Sequence, residues 1–185
     1  MWPLGHVAVA YLWYSLSTRY RFDAPPGGVA ALVLVVGSQF PDMVDKPLSW
    51  YAGVLPTGRT LAHSLLVLVP LSILCYAVVR RYGRGEYGIA FAVGALSHSL
   101  VDAVPALWGD WVAAEHLLWP LTPVTAYESG APSVLALLQD SMGDPYFISE
   151  FVLAAVAVVV WRRDGSPGLE PLRATVARLR VTTDG

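Results

Sequence analysis

The stretch YGIAFAVGALSHSLVDAVPALW, residues 87–108, decides the class of fold. As a helix it is long enough to cross the hydrocarbon of a bilayer, which takes about 20 residues. Near its end it carries His98 and Asp102 among small and apolar neighbours. An imidazole and a carboxylate are costly there unless something compensates them, and functional use is the default reading. Their four-residue spacing puts both on one face of the helix.

Composition agrees with a membrane location. Of 185 residues, 55% are hydrophobic and 14% charged, and the mean hydropathy is +0.52; a soluble domain has about a quarter of its residues charged. Four other apolar segments accompany 87–107: residues 3–18, 27–42, 61–80 and 147–162. Pro25, Pro26, Gly27 and Gly28, then Pro47, Gly53, Pro56 and Gly58, then RRYGRGE separate the first four. Strands would leave unpaired edges in lipid unless closed as a barrel, and the alternating segments of a barrel are missing. The expected fold is therefore all-α, a polytopic membrane bundle of about five transmembrane helices. SVLALLQDS, residues 133–141, reads as a short surface helix in the long outer loop. Residues 1–163 form the membrane-embedded domain, and 164–185 a polar cytoplasmic tail in which LEPLRATVARLRV is amphipathic.

Other classes recede. Cys75 is the only cysteine, which excludes a disulfide framework or a thiolate cluster within one chain. No basic block with interleaved aromatics suggests nucleic acid. The N-terminal apolar run lacks basic residues before it and a small-residue cleavage site after it, so it reads as a retained helix.

Charge orients the bundle. With five alternating helices, one side receives Arg19, Arg21, Arg80, Arg81, Arg84, Arg162, Arg163, Arg173, Arg178 and Arg180, and the other only Lys46 and Arg59. The positive-inside rule places the N-terminus outside and the C-terminus in the cytoplasm, in a multi-pass cell-membrane protein.

On that topology six candidate ligands from four helices meet at the outer end: His6, Asp42, Asp45, His63, His98 and Asp102. Asp42 and Asp45 are three apart, so they also share a helical face. Taken singly, His6 could be a hydrogen-bonding residue between helices, Asp42 a helix cap, and Asp45 a partner of Lys46 or Arg59. Together, three imidazoles and three carboxylates suit one divalent ion or two, zinc first, with manganese or iron as alternatives.

These residues also carry a resemblance. An early His (His6), PDMVD with Asp42 and Asp45, Arg59 followed by His63 and Ser64, GALSHSLVD with Gly94, Ser97, His98 and Asp102, and LWPL at 118–121 resemble the pattern of the YdjM-like membrane-bound metal-dependent hydrolases. The likeness covers roughly residues 1–123. Members often read H-R-G-x-T-H-S and Asp-x-Asp; here Gly58 precedes Arg59, Thr60 and Ala62 replace the Gly and Thr, and two residues separate Asp42 from Asp45. His116 in AEHLLWP is the candidate to supply a missing contact.

The hydrolase reading makes Asp45 the general base. Arg59 forks onto a phosphoryl group, and a site at the outer headgroup level suits a membrane lipid or lipid-linked phosphoester, with amide or glycan hydrolysis still open. The rival is a non-enzymatic metal-binding membrane protein or small transporter. It needs a polar path across the bilayer, yet LLVLVPLSILCYAVV below His63 has no ionisable side chain except Cys75 and Tyr76, and the last segment has none between Phe151 and Trp161.

Overall fold

The computed structural model describes residues 1–126 and 133–174. Among them there are helices and no strands: α1 (Pro3–Phe22), α2 (Gly28–Trp50), α3 (Leu65–Arg80), α4 (Gly85–Asp102), α5 (Val134–Ser141) and α6 (Pro145–Arg163), with two 3-10 segments, Val104–Trp108 and Trp111–Leu118. Three stretches are long and apolar enough to cross a membrane: Gly28–Trp50, Gly85–Trp108 and Pro145–Arg163. α3 is a shorter apolar helix.

Close backbone approach organises the bundle around α4. A Cβ on Gly94 would lie 2.5 Å from the Leu34 carbonyl oxygen, and one on Gly37 would lie 2.7 Å from that of Phe91. Only glycine lets α2 and α4 pack this tightly, the usual device where lipid removes the hydrophobic drive between helices. Ala10, Tyr11, Tyr14, Ala30, Leu34 and Ala90 form the core where α1, α2 and α4 meet. Large apolar side chains such as Leu66, Ile73 and Leu74 on α3 and Phe151, Val152 and Val156 on α6 face outward.

Four element boundaries differ from the sequence reading by four residues or more: α1 ends at Phe22 instead of 18, and α4 at Asp102 instead of 107, where a 3-10 segment continues the chain. α2 continues to Trp50 through Pro41 and Pro47 instead of ending near 42. Each proline removes one ladder bond, to the carbonyl four residues back, and buried surroundings tolerate that loss. α3 begins at Leu65, not Leu61, with Ser64 as its cap: the Ser64 Oγ accepts the Leu66 N–H at 3.2 Å. The amides of Thr60, Ala62 and His63 are used by Asp45, so His63 lies in the loop before the helix. The short helix at 133–141 is present as α5. The proposed amphipathic tail is helical at 169–174, and its remainder lies outside the described residues.

Candidate metal centre

The packing of α2 on α4 aims His98. Its Nδ1 lies 2.6 Å from the Ser38 carbonyl oxygen, an acceptor only, so Nδ1 carries the proton and donates. Nε2 is left with its lone pair.

His63 is aimed from the other side by Asp45, which is fully buried. The Asp45 carboxylate accepts the backbone N–H groups of Thr60 (2.7 Å), Ala62 (2.9 Å) and His63 (3.3 Å). It also accepts from His63 Nδ1 at 2.8 Å. Here too the proton sits on Nδ1 and the lone pair on Nε2.

The two Nε2 atoms face each other at 3.1 Å. Asp42 Oδ1 lies 3.5 Å from that of His63 and 3.6 Å from that of His98, while Asp42 Oδ2 pairs with Lys46 one turn on. Asp102 Oδ2 is 3.9 Å from both Nε2 atoms. Lone pairs converging in a buried space require a cation among them, either a proton on one ring or a metal ion. Asp42, His63 and His98 form a group whose donor atoms can hold one, and His6, His98 and Asp102 form a second.

His6 stacks on His98, with ring centroids 3.6 Å apart and planes within 13°. Its Nε2 donates to the Met1 carbonyl oxygen at 3.1 Å and lies 3.4 Å from Asp102 Oδ1, and its buried Nδ1 has no hydrogen-bond partner. Asp102 also receives the Met1 ammonium on Oδ1 at 2.8 Å and Arg59 Nε on Oδ2 at 2.9 Å.

The six candidate ligands do not all play one part. Asp42, His63, His98 and Asp102 present donor atoms to a common space, and His6 flanks it. Asp45 stands behind His63 with both oxygens engaged by protein groups, a geometry that suits orientation of the imidazole, and it belongs to neither donor group. His116 belongs to neither donor group. Its Nε2 bonds the Ser99 carbonyl at 3.1 Å and its ring meets His63 edge-on, with centroids 5.7 Å apart. Burial, then the nearby His63, pushes its pKa down to about 4, so it is a neutral wall of the site.

Sequence reasoning passed over three contributors. The Ser38 carbonyl leaves no mark on a sequence. The Trp119 carbonyl, which accepts the Ser64 hydroxyl at 2.6 Å, ties HS to LWPL. Glu150 was visible as a lone acid in an apolar helix.

A family model described as YdjM inner membrane protein matches residues 1–169. The chain belongs to the YdjM inner membrane protein family. No curated protein and no solved structure matches it. As a YdjM family member it is a membrane protein, and its buried His and Asp groups are of a kind that can bind a metal ion.

Proposed function

We propose that the chain is a membrane-bound metal-dependent hydrolase that holds one divalent ion, zinc before manganese or iron, at the outer end of the bundle. One observation carries this reading: the lone-pair nitrogens of His63 and His98 stand 3.1 Å apart with both Nδ1 protons already committed. Tetrahedral ligands at bonds of about 2.0–2.1 Å sit about 3.3–3.4 Å apart, so these atoms, Asp42 Oδ1 and Asp102 Oδ2 can close on an ion through small shifts. One ion is favoured over two because both donor groups depend on His98, whose single free lone pair serves one.

A bound ion supplies Lewis acidity and makes water a nucleophile near neutral pH. Arg59 is bonded to Asp102 yet its side chain is 40% exposed, so it spans the buried cluster and the exterior, where a guanidinium can take two phosphoryl oxygens. Lys46 on Asp42 is also partly exposed, and the two cations together favour an anionic substrate. Exposed Leu107, Trp108 and Trp111, in the 3-10 segments that follow Asp102, suit the headgroup level, where tryptophan concentrates, and favour a phosphoester of a lipid or lipid-linked molecule. The termini follow the arginines, N-terminus outside and C-terminus cytoplasmic. Transport is disfavoured by the apolar core of Ala10, Ala30, Leu34 and Ala90 that lies below the centre.

The test is elemental analysis of detergent-purified protein reconstituted with zinc, with phosphate release from a lipid phosphate measured in parallel. Wild type should hold about one equivalent and lose activity to a chelator, and His98→Ala should hold none. Metal-free wild type overturns the metal reading. Zinc-loaded protein inert on every lipid phosphoester overturns the substrate class and leaves a metal-binding membrane protein.

A further inference from the structure

Glu150 is a carboxylate on α6, a helix that turns Ile148, Phe151, Val152, Val156 and Val159 outward, yet it is only 2% exposed. A buried acid at membrane depth needs a compensating partner. Its partner is the start of α1. Both carboxylate oxygens lie 3.0 Å from the Trp2 amide nitrogen and accept its N–H. Trp2 is the N-cap residue of α1, makes no side-chain cap, and is followed by a first turn without an acidic residue. Helix starts leave N–H groups unsatisfied and carry partial positive charge, so a carboxylate from a neighbouring helix meets both needs. The same residue is gripped twice more: its ring packs on Phe147, one turn before Glu150, and its indole N–H donates to Ser141 Oγ at 3.1 Å.

The capped residue leads directly to the centre. The Trp2 carbonyl accepts the backbone N–H groups of Gly5 at 3.0 Å and His6 at 3.3 Å, and His6 is the ring stacked on His98 and set against Asp102. Gly5 sits against both neighbours of this turn: a Cβ there would lie 2.5 Å from Met1 Cγ and 2.6 Å from Glu150 Oε2, so any side chain has to displace them. We infer that Glu150 is a positioning residue of the centre: by capping α1 it holds His6 over His98 and Asp102. The consequence for metal binding rests on the reading above, whereas the placement of His6 does not.

Two measurements on the full chain in detergent separate these. The first is the rate at which diethyl pyrocarbonate modifies His6, followed by peptide mass spectrometry without metal. The second is the visible spectrum of the cobalt-loaded protein. Glu150→Ala should raise His6 reactivity about tenfold or more relative to wild type, the equivalent of about 1.4 kcal/mol, and shift the cobalt bands. Glu150→Gln, which keeps an acceptor oxygen for the Trp2 N–H, should restore both toward wild type. Glu150→Asp, which keeps the acid but draws its oxygens back from the Trp2 N–H, should raise His6 reactivity toward the Glu150→Ala value, and it carries the test if Glu150→Ala does not fold. Wild-type His6 reactivity in Glu150→Ala, or in Glu150→Asp where that variant stands in, overturns the proposal. So does a Gln variant as reactive as Ala. Wild type that binds no cobalt overturns the metal reading, and His6 reactivity then decides this inference alone.

Discussion

Asp45 acts on the centre through His63. Both of its oxygens are engaged, by three backbone amides and the His63 Nδ1 proton, and that arrangement leaves Nε2 as the ligating atom. Asp45→Asn offers one acceptor oxygen and turns its NH2 toward a donor that needs an acceptor. Loss of such a supporting bond costs about 10–100-fold in metal affinity. A zinc competition titration of Asp45→Asn should show a loss in that range with helix content unchanged; wild-type affinity would show that His63 is not oriented through Asp45. At this scale the sequence told which side chains to examine, because an imidazole or a carboxylate in an apolar run is conspicuous. It could not separate ligand from support. Asp42 and Asp45 lie three apart on one face, yet Asp45 takes the loop amides of residues 60–63 while Asp42 faces the two Nε2 atoms and Lys46.

Two latches tie α1 to α6, one at each end. At the centre it is Glu150 on Trp2. At the far end Asp164, just beyond α6, accepts the hydroxyls of Tyr11 at 2.7 Å and Ser15 at 2.6 Å and pairs with Arg19. Burial alone would raise the Asp164 carboxyl, but the hydrogen bonds from Ser15, Tyr11 and Arg19 outweigh it and hold its pKa below the usual carboxylate value. A carboxyl depressed on folding contributes stability fully above its unfolded pKa of about 3.9 and loses it as pH falls through the lower folded value. Asp164→Asn should therefore melt below wild type at neutral pH by the equivalent of about 1–2 kcal/mol, Arg19 being half exposed. Thermal scans from pH 7 to pH 3 should show the gap steady down to about pH 5 and closing below about pH 4. A gap independent of pH would mean that the charge of Asp164 is not what the latch uses. Helix existence was readable from apolar run length. The starts of α1, α2, α4 and α6 were readable to within two residues, but that of α3 was not, since α3 begins where Asp45 stops taking amides, a contact between residues 15 to 18 apart in sequence.

Across the whole molecule the usual arrangement of side chains is reversed: His63, His98, Asp45, Thr60, Ser38 and Ser99 are buried, while leucine, valine, phenylalanine and isoleucine face out along α3 and α6. Lipid is the solvent that makes this arrangement stable, because exposed apolar side chains cost nothing there and polar groups must find partners inside. α2 and α4 run toward the centre, and α1, α3 and α6 away from it. The end remote from the centre accordingly collects Arg19 and Arg21, Arg80, Arg81 and Arg84, and Arg162 and Arg163. Among the described lysines and arginines, only Lys46 and Arg59 lie at the centre's end, where each is paired with a carboxylate. Arginine-rich ends are retained in the cytoplasm, so the centre should face outward. In a Cys75→Ser background, a membrane-impermeant maleimide added to intact cells should modify a cysteine at exposed Ala52, between α2 and α3, and spare cysteines at exposed Ala24 and Tyr82. Disrupting the membrane should then expose all three. Labelling of Ala24 and Tyr82 but not Ala52 in intact cells would reverse the orientation and move the proposed substrate to the cytoplasmic leaflet. It would leave the His63–His98 geometry untouched, because the packing of the helices on one another, rather than their direction through the bilayer, brings those rings together.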